Sequence, residues 1–241
     1  MRGRRLLVLL ALSVTGIAGL LGLGFWQLER LEWKMAILAN LERALSPDTQ
    51  PIKLAEAETM MGRDPSQDFL RVSLVGTFDH ADERYLFSTL NGEPGWKVIT
   101  PFLTSDRRLV MIERGFVPQR LKQPQDRPAS MSAGEIALTG LLRKPAQPGL
   151  FTPSNQSSEN TWYWLDVPAL LASLKSVPPG FVPSGYLVEV LPGSTGEEWP
   201  KATAPDPARI PNNHRQYAMT WFALAAVLAF MTVALVRRGG G

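Results

Sequence analysis

Two stretches of the chain carry no charge and few strongly polar side chains. Residues 6–26 form a run of 21 that contains eight leucines. At about 1.5 Å per helical residue such a run can cross a hydrocarbon core of about 30 Å. Its leucines alone favour insertion by roughly 4 kcal/mol, at about 0.5 kcal/mol each. Residues 217–236 form a second uncharged run of 20, rich in Ala, Val, Leu and Phe. Both predict transmembrane helices. Ser13, Gly16, Gly19 and Gly22 recur every three residues on the first, and Ala218, Ala225 and Ala229 put small side chains on the second. Small strips let helix backbones approach closely, so the two spans are expected to pack as a pair.

Between the spans the texture changes twice. Leu28, Leu31, Met35, Leu38, Leu41 and Leu45 keep three-to-four spacing until Ser46-Pro47, which extends the first helix over residues 27–45. After a weakly patterned stretch, Leu70, Val72, Leu74 and Phe78 alternate with Arg71, Ser73 and Thr77, the two-residue period of a half-buried strand. Further strands are expected at 84–89, 96–102, 109–117, 136–142, 161–165 and 186–191. Turns at Asn91-Gly92 and Ser105-Asp106 favour hairpins and an antiparallel sheet. One short helix is expected over 167–176, with Asp166 as N-cap and Pro168 near its start. Proline-rich loops at 118–128, 145–153 and 178–183 separate the later strands, and five prolines over 192–211 read as an extended return linker.

The fold class that follows is a membrane protein of α+β type. Two transmembrane helices, N- and C-terminal, flank an antiparallel β-rich domain with a short helix, closed as a sandwich or partly open barrel. The segments are a tip at 1–5, a span at 6–26, a water-facing domain at 27–216, a span at 217–236 and a tip at 237–241.

Charge sets the orientation. Arg2, Arg4 and Arg5 precede the first span, and Arg237 and Arg238 follow the second. The positive-inside rule then places both termini in the cytoplasm and the middle domain across the membrane. Trp26, Tyr217 and Trp221 fall toward the same face, as interfacial aromatics should. Without those five arginines the net charge of +3 becomes −2, so basicity resides at the tips and gives no reason to expect nucleic acid. The first apolar run exceeds the 7–15 residues of a signal-peptide core, and no small-residue cleavage site follows it, so an uncleaved helix is expected. The mean hydropathy of −0.04 averages the two apolar ends with a balanced middle and describes neither.

Candidate chemistry is sparse. The chain has no cysteine and two histidines, His80 and His214. Thiolate zinc sites, disulfides and cysteine nucleophiles are excluded, and no GxSxG, HExxH or P-loop pattern occurs. Composition therefore argues against a hydrolytic or redox enzyme. Read alone, His80 is a solvated turn residue at a strand end, and Arg114 and Arg143 are surface or interdomain ion-pair partners. His214 reads as an ordinary interfacial residue behind an Asn212 or Asn213 helix cap.

The ordered motifs carry a resemblance. Residues 24–34 (GFWQLERLEWK) leave the first span. They are followed by Gly76-Thr77-Phe78-Asp79, Gly95-Trp96, Thr100-Pro101-Phe102, Arg114-Gly115-Phe116-Val117-Pro118, Gly140-Leu141-Leu142-Arg143 and residues 162–166. Residues 212–217 (NNHRQY), with Thr220-Trp221-Phe222, enter the second span. Nearly the whole chain, in order, resembles the Surfeit locus protein 1 (Shy-type) family of cytochrome c oxidase assembly proteins, in a bacterial form. It departs from the family pattern at Glu113, where Asn is expected, at Phe116 for Trp, and at Arg215 for Leu.

The resemblance implies an assembly factor, not an enzyme, which helps the catalytic subunit of cytochrome c oxidase to mature. The implied cargo is haem a, with haem a synthase as a further partner, in a bacterial inner membrane with the central domain periplasmic. On that reading His214 is the candidate metal ligand, since haem iron takes an imidazole where no thiolate exists. Trp26 and Tyr217, with Trp221 and Phe222, are the candidate faces of a haem site. Arg215 or Arg30 would pair with propionates. The bilayer would receive the apolar tail. A protein-only scaffold for an oxidase intermediate is the competing expectation, and a membrane-anchored periplasmic enzyme stands behind both.

Overall fold

The structure, a computed structural model, describes residues 2–64, 67–145, 147–175, 177–196 and 198–239. Met1, Gly240 and Gly241 of the predicted tips, and Ser176 at the predicted end of the short helix, lie outside the described residues. The chain forms two compact units, Met1–Leu38 with Pro207–Gly241, and Ala39–Asp206.

The first unit holds the two apolar helices, most of α1 (Arg2–Leu45) and all of α4 (His214–Gly239). Each is long and apolar enough to cross a membrane. α1 runs unbroken through residue 27, as the leucine spacing predicts. It stops where the Ser46 N–H turns back to the carbonyls of Glu42 and Arg43, both at 3.1 Å, ahead of Pro47. Leu41 and Ala44 in its last turns are buried.

The second unit is β-rich. Its strands are β1 (Ile52–Lys53), β2 (Leu70–Phe78), β3 (Arg84–Leu90), β4 (Glu93–Thr104), β5 (Arg108–Pro118), β6 (Ile136–Arg143), β7 (Thr161–Trp162) and β8 (Val182–Val190). They join in the order β1-β2-β6-β8-β5-β4-β3-β7, and β2 also pairs with β4 through Gly76–Thr104 and Phe78–Phe102. That extra pairing closes five strands, β2-β4-β5-β8-β6, into a barrel. Counted along the barrel strands alone, the cyclic order is 1-2-3-5-4 with the third and fifth parallel, the topology of an OB-type Greek-key barrel. β4 is long enough to close the barrel with one half and hairpin with β3 through the other, bending at a bulge between Val98 and Ile99. The β3–β4 turn is the predicted Asn91-Gly92, with φ of 52° and 84°, which suits the hand of a two-residue hairpin.

The two-residue period sorts the barrel. Val72, Leu74, Phe102, Val110, Ile112, Leu138, Leu142, Val188 and Val190 form its interior cluster. Helix α2 (Leu54–Arg63) adds Leu54, Ala57 and Met61 to that cluster at helical spacing. On the other face of β5 and β8, Met111 and Leu187 pack with Ile99, Trp162 and helix α3 (Val167–Ala172), so β5 is buried on both faces.

Four expectations need correction. Three pairings, β1–β2, β3–β7 and β5–β8, are parallel where an antiparallel sheet is expected, because barrel closure and the long connections bring non-consecutive strands together. α2 occupies the stretch read as weakly patterned. α3 has its predicted Asp166 cap, accepting from Ala169 N–H at 3.1 Å, but ends at Ala172. There the Ser173 hydroxyl takes the Leu170 carbonyl, and Arg84 takes the Ser173 carbonyl that a further turn would use. β7 is shorter than predicted because the Asn155 side-chain oxygen accepts the N–H groups of Tyr163 and Trp164, at 2.9 and 3.3 Å.

Candidate functional site

The two apolar helices meet along a seam with a 3.5-residue period. On α1, Leu10, Ser13, Ile17, Leu20, Gly24, Gln27 and Leu31 are buried or half-buried at alternating spacings of three and four. On α4, His214, Ala218, Trp221, Ala225, Leu228 and Thr232 do the same. This is the repeat of paired helices whose contact line stays on one face. A Cβ on Gly24 would strike the Phe222 ring, and one on Gly16 would sit 3.1 Å from Leu228. Phe25 meets Phe222 edge to face at 5.4 Å. These contacts run in opposite sequence directions, so the pair is antiparallel. The predicted strip of Ser13, Gly16, Gly19 and Gly22 is thus half right. A three-residue step turns through about 300° and drifts around the helix, leaving Gly19 and Gly22 with no neighbour within 4 Å outside their own helix. Ala218 and Ala225 are buried as expected.

His214 begins α4 on this seam. Its Nδ1 lies 2.7 Å from Oε1 of Gln27, whose residue exposure is only 9%. A carboxamide oxygen can only accept, so Nδ1 is the donor, and in the neutral ring Nε2 then carries the lone pair. Among the described residues Nε2 has no hydrogen-bond partner. That is the arrangement of a metal-ligating histidine: one nitrogen tied to an acceptor, the other a free donor. The carbonyl of Asn213 accepts from Tyr217 N–H at 3.1 Å, which puts Asn213 at the cap position. Asn212 is not the cap, for its amide reaches the Met35 sulfur at 3.6 Å and its oxygen is buried without a partner.

Of the other predicted site residues, Trp221 and Phe222 lie half-buried between the two helices, and Trp26, Tyr217 and Arg215 lie on outward faces. Trp26 is 50% and Tyr217 54% exposed, and neither makes a ring contact with His214 among the described residues. Arg215 is exposed with no ion pair among them. Arg30 stacks over Trp33 at 4.2 Å. No group of three or more acidic, histidine or cysteine side chains suited to a metal ion occurs among the described residues. His214 is therefore not part of a multi-residue metal cluster among the described residues. Gln27 was missed by sequence reasoning, although a polar residue continuing the spacing of Leu20 and Gly24 was a signal that could have found it.

The β-rich unit carries two ionic clusters that sequence alone misjudges. His80 is not a solvated turn residue, and Arg114 is not on the surface. Arg114 is 2% exposed and donates to Glu83 at 3.1 Å, to the Ser130 carbonyl and to His80 Nδ1 at 3.1 Å. A guanidinium can only donate, so His80 Nδ1 is the acceptor, and His80 Nε2 donates to the Ser132 carbonyl at 3.1 Å. Arg127 completes the cluster by pairing with Glu83. Burial pushes the Glu83 carboxyl up, but the Arg127 and Arg114 guanidiniums outweigh it and hold it below the ordinary carboxylate value. The second cluster is a row across neighbouring strands. Lys97 pairs with Glu113, and Arg143 with Glu189 at 2.9 Å, so Arg143 is the ion-pair residue expected of it. Burial and then the Glu113 charge push the Glu189 carboxyl up. Lys97 accounts for Glu113 at its unusual position. The first cluster ties the segments carrying His80, Glu83 and Arg127 to β5, the second lies across neighbouring strands, and both are held by salt bridges of their own, which marks them as structural.

The chain has extensive relatives. Residues 14–226 match the SURF1 family. A "SURF1-like protein" of Monosiga brevicollis is 32% identical over 91% of this chain and 84% of its own length. "Surfeit locus protein 1" of Homo sapiens is 27% identical over 96% and 77%, and that of Takifugu rubripes 27% over 87% and 89%. With two apolar helices bracketing a β-rich unit and the match running through all three, the chain belongs to the SURF1 family.

Proposed function

We propose that this protein is a non-catalytic assembly factor of the haem-copper terminal oxidase, spanning a bacterial inner membrane twice with its β-rich domain in the periplasm. The family membership supports the assembly role, and the arginine-tipped ends support the orientation. In this reading haem a is cargo, held for delivery to the catalytic subunit of cytochrome c oxidase after release from haem a synthase. The observation that carries it is the free Nε2 of His214, on the first turn of α4 and beside a buried acceptor. Haem a would bring an iron that takes an imidazole nitrogen and a tail that favours hydrocarbon. His214 would hold the iron, the outward rings of Trp26 and Tyr217 would lie against the macrocycle, and Arg215 would meet a propionate in water. One protein ligand would suit cargo that must leave again.

The His214–Gln27 hydrogen bond also joins the two helices, which would serve a protein-only scaffold for an oxidase intermediate equally well. An optical spectrum separates the two. The haem reading expects a Soret band in protein expressed beside a haem a synthase, lost in His214→Ala. The scaffold reading expects none. For either, deleting the gene is expected to lower mature oxidase activity with transcription of its subunits unchanged. Normal oxidase activity and normal haem a per complex, in a strain with no second copy of the gene, would remove the assembly role.

A further inference from the structure

We infer that Gln27 is a positioning residue for His214, holding the imidazole in the Nδ1–H tautomer so that Nε2 is presented as the metal donor. The inference rests on the haem-ligand reading and adds to it the residue that prepares the ligand. An unconstrained neutral imidazole side chain favours hydrogen on Nε2, and that form would turn the wrong nitrogen toward a metal. The oxygen of Gln27, a residue only 9% exposed, lies 2.7 Å from Nδ1 and reverses the preference. An acceptor in that place also fixes the ring plane and raises the basicity of the donor nitrogen.

The seam explains why the pair is kept. Gln27 follows Leu20 and Gly24 on the contact line of α1, and His214 precedes Ala218 on that of α4. An apolar residue at 27 would fill the seam just as well. A buried polar pair is worth its desolvation only if it specifies something, either a register or a tautomer. His80 provides an internal contrast. Its Nδ1 faces Arg114 and its Nε2 faces a carbonyl, which requires the opposite tautomer. The two histidines of the chain are thus expected in opposite forms.

Uniform 15N-histidine labelling of the full-length protein in detergent tests this directly, because the chain contains only these two imidazoles. At about pH 8, well above the ordinary histidine pKa of about 6.5, one ring should show Nδ1–H and the other Nε2–H. His214→Ala should delete the first pattern. Gln27→Leu should move His214 to Nε2–H and weaken haem a binding roughly 10- to 100-fold, the usual effect of losing an outer partner of a ligand. Gln27→Glu keeps an acceptor and should retain both the tautomer and the binding, with a lower midpoint potential for bound haem. It thereby controls for a folding defect in the leucine variant. Hydrogen on Nε2 of His214 in the unaltered protein, or an unchanged tautomer in Gln27→Leu, overturns the inference. Unchanged haem a affinity in His214→Ala instead overturns the ligand reading, while the tautomer data would still establish the Gln27 bond.

Discussion

Glu83 and Glu189 show how differently two buried carboxylates can bear on stability. Glu83 faces two buried guanidiniums, and its carboxyl is held below the usual value despite burial. An acid whose folded pKa is depressed contributes stability above its unfolded pKa of about 4.3, and loses it as pH falls through the folded value. Glu189 is pushed the other way by burial and by Glu113. Its contribution is present below the unfolded value and lost as pH rises through the raised folded one. Glu83→Gln should therefore destabilise the β-rich unit at pH 7 by about 3–5 kcal/mol, because it removes the counter-charge that buried Arg127 pairs with and takes one partner from Arg114. It should also flatten the loss of stability in acid. Glu189→Gln should cost less than about 1 kcal/mol, since it relieves the Glu113 repulsion and leaves Arg143 partly hydrated. Denaturation followed by tryptophan fluorescence compares them, and equal costs would show that the sign of the shift is not what governs stability here. The sequence marks Arg114 and Arg143 as ion-pair residues but not the burial of their partners. Arg114 and His80 look like surface residues because the partners that bury them lie 16 to 52 positions away.

At the scale of elements, helices and strands with a sustained period were legible, and short or shared ones were not. The long runs of α1 and α4, the alternation of β2 and the Asp166 cap all stand where the sequence puts them. α2 was missed because its buried face comprises only Leu54, Ala57 and Met61 over two turns, too few residues to establish a period. Barrel closure was open between two architectures because the same alternation serves a sandwich, and only the β2–β4 pairing decides it. Gly115 marks another long-range contact. Its φ of +128° and the approach of the Lys201 carbonyl leave no room for a Cβ, where the Phe116 and Lys201 backbones bond at 2.8 and 3.0 Å. The seam of the apolar helices gives a test of the period itself. Gly24→Leu should force α1 away from Phe222, an overpacking cost of about 1–3 kcal/mol. Disulfide formation between cysteines placed at Gly16 and Leu228 should fall several-fold. Gly22→Leu, which meets open space, should leave the yield unchanged. Equal effects from both substitutions would place the contact line elsewhere on α1.

For the whole molecule, the proposed two-span topology raises the question of which side of the membrane the β-rich unit would face. Apolar side chains cover the outward surfaces of both long helices: Leu7, Leu12, Val14, Phe230 and Met231 are all exposed. A bilayer would remove that surface from water at a gain of roughly 25 cal/mol per Å². With two spans, both ends of the chain must lie on one side and residues between the helices on the other. Arginine at positions 2, 4, 5, 237 and 238 favours the cytoplasm for the ends. Arg30 and Lys34 follow the first apolar run and Arg215 precedes the second, and they oppose the bias, so the orientation rests on a modest excess of charge. The chain has no cysteine, so single cysteines report without background. Ala133 is an exposed position in the β-rich unit, and Gly240 lies beyond the arginines of the C-terminal tip. In cells with a permeabilised outer membrane, Ala133→Cys should react with a membrane-impermeant maleimide, and Gly240→Cys should react only after the inner membrane is lysed. The reverse pattern would put the β-rich unit in the cytoplasm, away from the side where the proposed cargo and its donor nitrogen are expected to meet. Labelling of both in intact cells would mean that α4 does not cross. A second arm reverses the charge: Arg237→Glu with Arg238→Glu should make a fraction of the chains accessible at position 240, in proportion to the bias those two residues supply.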